Sequence, residues 1–329
     1  MKHFLSFVFL LFTHFAIGQV WLSPLQRFDS LNLNPVLPDN LFTTRSVVLY
    51  DHGFSQKDLE EAQKGFQRAG IDAVVYFDMN LIISGKDLEY GLASNIFQRS
   101  IENLIFYYRE NGLNTLVITP FNKKVNFLDA RQQAWKAENT SRRDLFQALF
   151  LASTGKEKTN MLINDFPERD LPLAVIRGQR SPFFATDLRV DLLAVPKTGN
   201  PEYDRILEQM FSAWPYKYKL TEADITEKQL QTNGFMYKLC YAYAPNQLAL
   251  SLLGYRIGDT ESAVASIVFS ESGKPEVKNI GRDEKVFKFY FKHLPSSNVF
   301  LGVQWDADVT LEKALKNHIE GMKNTWGIK

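Results

Sequence analysis

Apolar and polar positions recur along this chain with two periods, and each change of period marks a new element. Ser46-Val47-Val48-Leu49-Tyr50 is a nearly unbroken apolar run with the length of a buried strand. Ser55 then stands as a helix cap before residues 56–68, whose first turns carry acidic side chains. Leu59, Ala62, Phe66 and Ala69 fall on one face of that helix. Gly70 closes it, and Ala73-Val74-Val75-Tyr76-Phe77 reads as a second strand.

A similar pattern returns 144 positions later. Leu192-Leu193-Ala194-Val195 stands opposite Val48-Leu49-Tyr50-Asp51, and Asn200-Pro201 opens a helix with Pro in its first turn. Tyr203, Ile206, Met210 and Ala213 are that helix's apolar face, and Tyr218 and Leu220 match Val74 and Tyr76. A second block agrees at an offset of 135, with Leu104, Phe106 and Tyr108 facing Leu239, Tyr241 and Tyr243. Asn111, Leu113 and Val117 likewise face Asn246, Leu248 and Leu252. In both blocks apolar runs flank a short Asn-containing turn, which predicts a hairpin. Between the blocks, residues 86–99 and 221–233 read as helical, the second shorter than the first.

The fold class expected is therefore α/β, with two similar βαβαββ halves, each a mixed sheet flanked by helices. The second half carries a strand-rich extension and a terminal helix. Residues 129–153 read as helical, and residues 154–188, with Pro167, Pro172 and Pro182, as a connection. Strands are expected at 263–269, 286–291 and 299–304, and a final amphipathic helix at 310–323. The resulting organisation is a leader (1–18), an extended lead-in (19–44), a first half (45–153), the connection (154–188) and a second half (189–329).

The leader changes where the chain is expected to work. Met1-Lys2-His3, an apolar stretch from Phe4 to Phe15 and the small residues Ala16 and Gly18 form a secretory signal, with cleavage between Gly18 and Gln19. The apolar stretch is shorter than the roughly 20 residues a spanning helix needs. No transmembrane segment is expected in the mature chain. The expected location is an exported one, periplasmic or extracellular, in a bacterium.

Composition narrows the function further. Hydrophobic residues make up 45% of the chain and charged ones 23%, enough to bury a core of ordinary size. Without Lys2 the mature chain has 37 basic and 37 acidic residues, interspersed, whereas nucleic-acid binders concentrate positive charge against phosphate. Nucleic acid is not an expected partner. Cys240, the one cysteine, lies in a strand and reads as a buried structural thiol.

Little in the chain announces chemistry. HExxH, paired cysteine ligands, a Gly-rich phosphate loop and Gly-x-Ser-x-Gly are all absent, so no cofactor or metal is expected. Asp306-Ala307-Asp308 offers two oxygens, but Asp308 is better read as a cap for the terminal helix. Arg177 and Arg180 read as a charged linker, and Tyr237, Tyr241 and Tyr243 as a packed sheet face. One constellation follows from architecture, because ligands in open α/β sheets gather beyond the carboxyl ends of strands. Asp51 and His52 follow the first strand of one half and Lys197 follows its counterpart, so these three are the ligand-site candidates.

The function expected is that of an exported, non-enzymatic envelope protein. It would bind another envelope protein or a small-molecule ligand where its halves meet. Two alternatives remain: a hydrolase using Asp51 and His52 as a non-standard acid–base pair, and a structural subunit of an envelope assembly.

Overall fold

The structure, a computed structural model, describes residues 23–160, 164–169, 176–255 and 262–328. The expected leader and the Gly18–Gln19 cleavage point lie outside the described residues. The first half holds β1 (Asn32–Leu33), β2 (Arg45–Tyr50), α1 (Gln56–Ala69), β3 (Asp72–Asp78), α2 (Lys86–Gln98), β4 (Ile101–Glu110), β5 (Leu113–Pro120), β6 (Gln133–Asn139) and α3 (Arg142–Ala152). The second holds β7 (Arg180–Ser181), β8 (Leu193–Pro196), α4 (Pro201–Ser212), β9 (Tyr218–Thr221), α5 (Glu227–Thr232) and β10 (Tyr237–Pro245). It continues with α6 (Asn246–Leu253), β11 (Ala263–Phe269), β12 (Pro275–Gly281), β13 (Lys285–His293), β14 (Val299–Phe300) and α7 (Leu311–Trp326).

Each half builds one mixed six-stranded sheet, the first adding β1 from the expected lead-in and the second β7 from the expected connection, and strand order and direction repeat between them. The first runs β1-β6-β5-β4-β2-β3 and the second β7-β14-β13-β10-β8-β9. In both, three strands at one end are parallel, the next two steps are antiparallel, and a two-residue strand closes the far edge in parallel. The ungapped residue matching does not carry over to the ladders. Leu49 pairs with Phe77 and Phe106, whereas Leu193 pairs with Tyr218 and Tyr237 rather than with Thr221 and Tyr241.

Local chemistry explains the helix ends that the sequence made readable. Ser55 and Asp58 form a reciprocal capping box on α1, Gly70 takes the left-handed conformation at its end, and the Asn200 side chain caps α4 ahead of Pro201. One face of the first sheet packs Val48, Ile105, Leu116 and Ile118 under α1 and α3. Its other face, with Val47, Leu49, Leu104 and Phe106, joins α2 and the inner residues of the second half in one continuous core. Among the described residues, no helix is long and apolar enough to cross a membrane.

Four expectations are corrected. Residues 246–253 form helix α6, not the return strand of a hairpin. Leu, Ala and Ser dominate there, no residue is β-branched, and Gly254 ends the helix with positive φ. The antiparallel partner of β10 is β13, reached after an inserted β11–β12 hairpin whose second strand had not been expected. Residues 129–153 divide into strand β6 and helix α3, separated at the Ser141 cap. Thr310, not Asp308, caps α7, and the Asp308 carboxylate is held by Lys278 at 3.0 Å.

Candidate functional site

The two halves meet around a cavity of about 740 Å³. Its base is apolar: Ile83, Leu207, Leu239, Phe289 and Leu311 all line it and are all buried. These residues come from both halves, because the 3-10 turn Met79–Ile83 and the start of α2 cross over β10. Two contacts fix that crossing. The Tyr243 backbone N–H donates to the Ser84 carbonyl at 2.9 Å, and Gly85, at φ 109°, leaves no room for a Cβ against the Tyr241 carbonyl. A side chain there would both strain the backbone and push the halves apart.

Charged residues stand around this base as ion pairs. Asp87, at the start of α2, accepts from Lys238 and from Lys292, each at 2.8 Å, and Lys292 also donates to Glu227 at 2.7 Å. Burial opposes ionisation of Asp87, but the two ammonium groups outweigh it and hold the carboxyl well below the ordinary carboxylate range. The same pairing holds Lys238 above its ordinary value against the effect of burial. Arg27 reaches from the lead-in to Glu89 at 3.5 Å and donates to the Asn126 carbonyl at 2.6 Å. Burial pushes the Glu89 carboxyl up, and Arg27 and the Gly85 N–H only partly offset it. At the exposed mouth, Lys86 pairs with Asp224 at 2.9 Å. Burial also pushes up the Cys240 thiol and the Tyr241 phenol, so both face the cavity uncharged.

Of the three candidates from sequence, only Lys197 lines this space. Its N–H donates to the Thr221 carbonyl at 2.9 Å, joining the ends of β8 and β9, and its Nζ lies 3.9 Å from Glu208. Asp51 and His52 are not among the lining residues; they form a second cluster at the ends of β2 and β3. There His52 Nδ1 lies 2.5 Å from Asp78 Oδ2, while Asp78 Oδ1 accepts from the backbone and side chain of Asn80. His52 Nε2 lies 3.3 Å from Asp283, in the β12–β13 turn of the other half. The hydrogen bond to Asp78 raises the imidazole above its ordinary value; burial opposes this, and the Asp78 and Asp283 charges reinforce it. Asp51 is engaged differently, accepting from the N–H groups of Gly53 and Arg109 and tying its loop to the end of β4.

The remaining sequence candidates are structural, except that Tyr241 also lines the cavity. Tyr237 and Tyr243 are buried, with Tyr243 stacked on Phe287 at 4.3 Å, and Tyr241 packs against Phe287 and Phe289. Arg177 lies over the Tyr90 ring, and Arg180 donates to the Leu252 carbonyl. Asp306 is held by Lys288 and His318 and Asp308 by Lys278, so the two carboxylates do not converge. Among the described residues, no group of three or more His, Cys, Asp or Glu side chains is placed to hold a metal ion.

Reasoning from sequence missed Asp87, Arg27, Glu89 and Lys292. Their partners lie 62 to 205 residues away, and only the folded chain brings them together. A faint signal was present. Lys238, Lys288 and Lys292 interrupt strands that are otherwise apolar, and such a lysine must either face water or find a buried carboxylate. Comparison with models of known protein families, with curated proteins and with solved structures finds no match.

Proposed function

We propose that this chain is an exported, non-enzymatic envelope protein that holds a small ligand in the cavity between its two halves. The observation that carries this reading is the cavity itself. It has a buried apolar base drawn from both halves, a ring of fixed polar groups, and a volume within the range of about 300–1,000 Å³ typical of ligand sites. The test uses mature protein and Nile red, a dye that fluoresces in apolar surroundings. Saturable binding near one dye per chain is expected, with loss in Leu207→Trp, which fills the base while retaining a cooperative thermal transition. Dye binding that is absent, or unchanged by that substitution, would sink the proposal.

A second reading is favoured by one observation, the 2.5 Å contact between His52 and Asp78. A carboxylate that fixes an imidazole is the usual orienting arrangement for a general base. The hydrolase alternative therefore rests on His52 with Asp78, not on His52 with Asp51. Ester hydrolysis by the wild-type protein that disappears in His52→Gln would support it. Equal rates in the two proteins would remove it.

A further inference from the structure

The charge arrangement of the cavity narrows the ligand. We propose that its occupant is an uncharged, predominantly apolar molecule with at most a hydroxyl or carbonyl at one end. This rests on the cavity-binding reading above.

Every charged side chain on the lining already has an opposite charge within the protein. Asp87 is claimed by two lysines at 2.8 Å. Lys86 is paired with Asp224 at 2.9 Å, Asp129 with Lys124 at 3.0 Å and Arg27 with Glu89 at 3.5 Å. Lys197 faces Glu208 at 3.9 Å. Four cations and four carboxylates of the lining balance one another, and their partners outside it balance too.

An ion entering this space would give up its hydration and meet no unclaimed counter-charge. To gain one from Asp87, Lys238, Arg27 or Glu89 it would have to break a buried pair, stranding the partner in a low dielectric, and the exposed pairs of Lys86, Lys197 and Asp129 are screened by water and offer an ion little attraction. A neutral molecule incurs neither cost and gains the transfer of its apolar surface onto Ile83, Leu207, Leu239 and Phe289. The uncharged phenol of Tyr241 and thiol of Cys240 line the same space and suit a neutral polar end. Pairing thus selects against both signs of charge, and the apolar base supplies the affinity.

The experiment compares three probes with the same twelve-carbon chain: dodecanol, dodecanoate and dodecyltrimethylammonium. Each competes against Nile red on the mature protein near neutral pH, the two ions below their micellar concentrations and dodecanol below its solubility limit. Dodecanol is expected to displace the dye at a concentration at least about tenfold below either ion, a discrimination that one desolvated, unpaired charge readily exceeds. A second variant makes the logic specific. Glu89→Gln strips Arg27 of its counter-charge, so it should improve dodecanoate several-fold relative to dodecanol measured on the same variant. Displacement by either ion as effective as by dodecanol, or no gain for dodecanoate in Glu89→Gln, overturns the neutral-ligand inference while cavity binding stands. If no probe displaces the dye and Leu207→Trp does not affect it, both fall together.

Discussion

At the scale of single residues, the sharpest physics lies in two groups that handle charge in opposite ways. Lys288, Asp306 and His318 are wholly buried against one another: Lys288 Nζ donates to Asp306 at 2.7 Å, and His318 Nδ1 lies 2.9 Å from the same carboxylate. Removing one member leaves an uncompensated buried charge, which typically costs about 3–5 kcal/mol. Lys288→Ala should therefore lower the unfolding free energy by about that much in urea titrations, and a loss below about 1 kcal/mol would show the triad to be energetically idle. His52 behaves differently because it is half-buried between Asp78 and Asp283, with Lys285 facing Asp78 and Asp51 nearby. Its folded pKa lies above the ordinary 6.5, so its stabilisation is complete below that value and is lost as pH rises through the raised one. The melting-temperature gap between wild type and His52→Gln should therefore narrow as pH rises from about 6 to about 9, and a constant gap would exclude the bridge. The sequence singled out His52 but not its partner. β2 and β3 are parallel neighbours with Tyr50 opposite Asp78, so the strand ends bring together residues 26 positions apart, while adjacent Asp51 accepts from Gly53 in its own loop and from Arg109 at the end of β4.

Among elements, local chemistry was readable where it acted alone. Caps placed the starts of α1 and α4, and the stripe Leu311, Leu315, Ile319 and Met322 placed α7, because N-cap side chains and helical periodicity are settled within a few residues. Residues 246–253 were misread because a short apolar run fits either a strand or a buried helix. Tertiary pairing decided between them, since β13 already occupies the antiparallel edge of β10. The junction between the Met79–Ile83 turn and α2 is the element-level weak point. Gly85, at φ 109°, lies against the Tyr241 carbonyl, and Gly85→Ala adds a Cβ where the conformation and the space both forbid it. A loss of about 1–3 kcal/mol is expected, accompanied by weaker Nile red binding because the crossing that shapes the cavity shifts. Stability lost with dye affinity unchanged would show that the crossing does not shape the cavity.

For the whole molecule, two sheets with the same strand order and directions share one continuous core. The second half differs from the first in carrying α6 and the β11–β12 hairpin between β10 and β13. A cavity between such halves needs no motif, which is why none was found in the sequence: its lining is spread from Arg27 to Leu311. The proposed export is tested at the same scale: fractionation and terminal sequencing should recover the protein outside the cytoplasm, beginning at Gln19, and its confinement to the cytoplasm with Met1 intact would remove the envelope assignment.

Apolar period, capping residues and composition determined by themselves that the chain is α/β, where most helices begin, and that the Val48 and Leu193 segments are buried strands. Each of these depends on free energies won within a turn of helix or a run of strand. Which strands pair, whether Asn246–Leu253 is helix or strand, and which carboxylate meets Lys238 were decided only by the folded chain. Those outcomes depend on contacts between residues tens to hundreds of positions apart, whose energy no local segment contains.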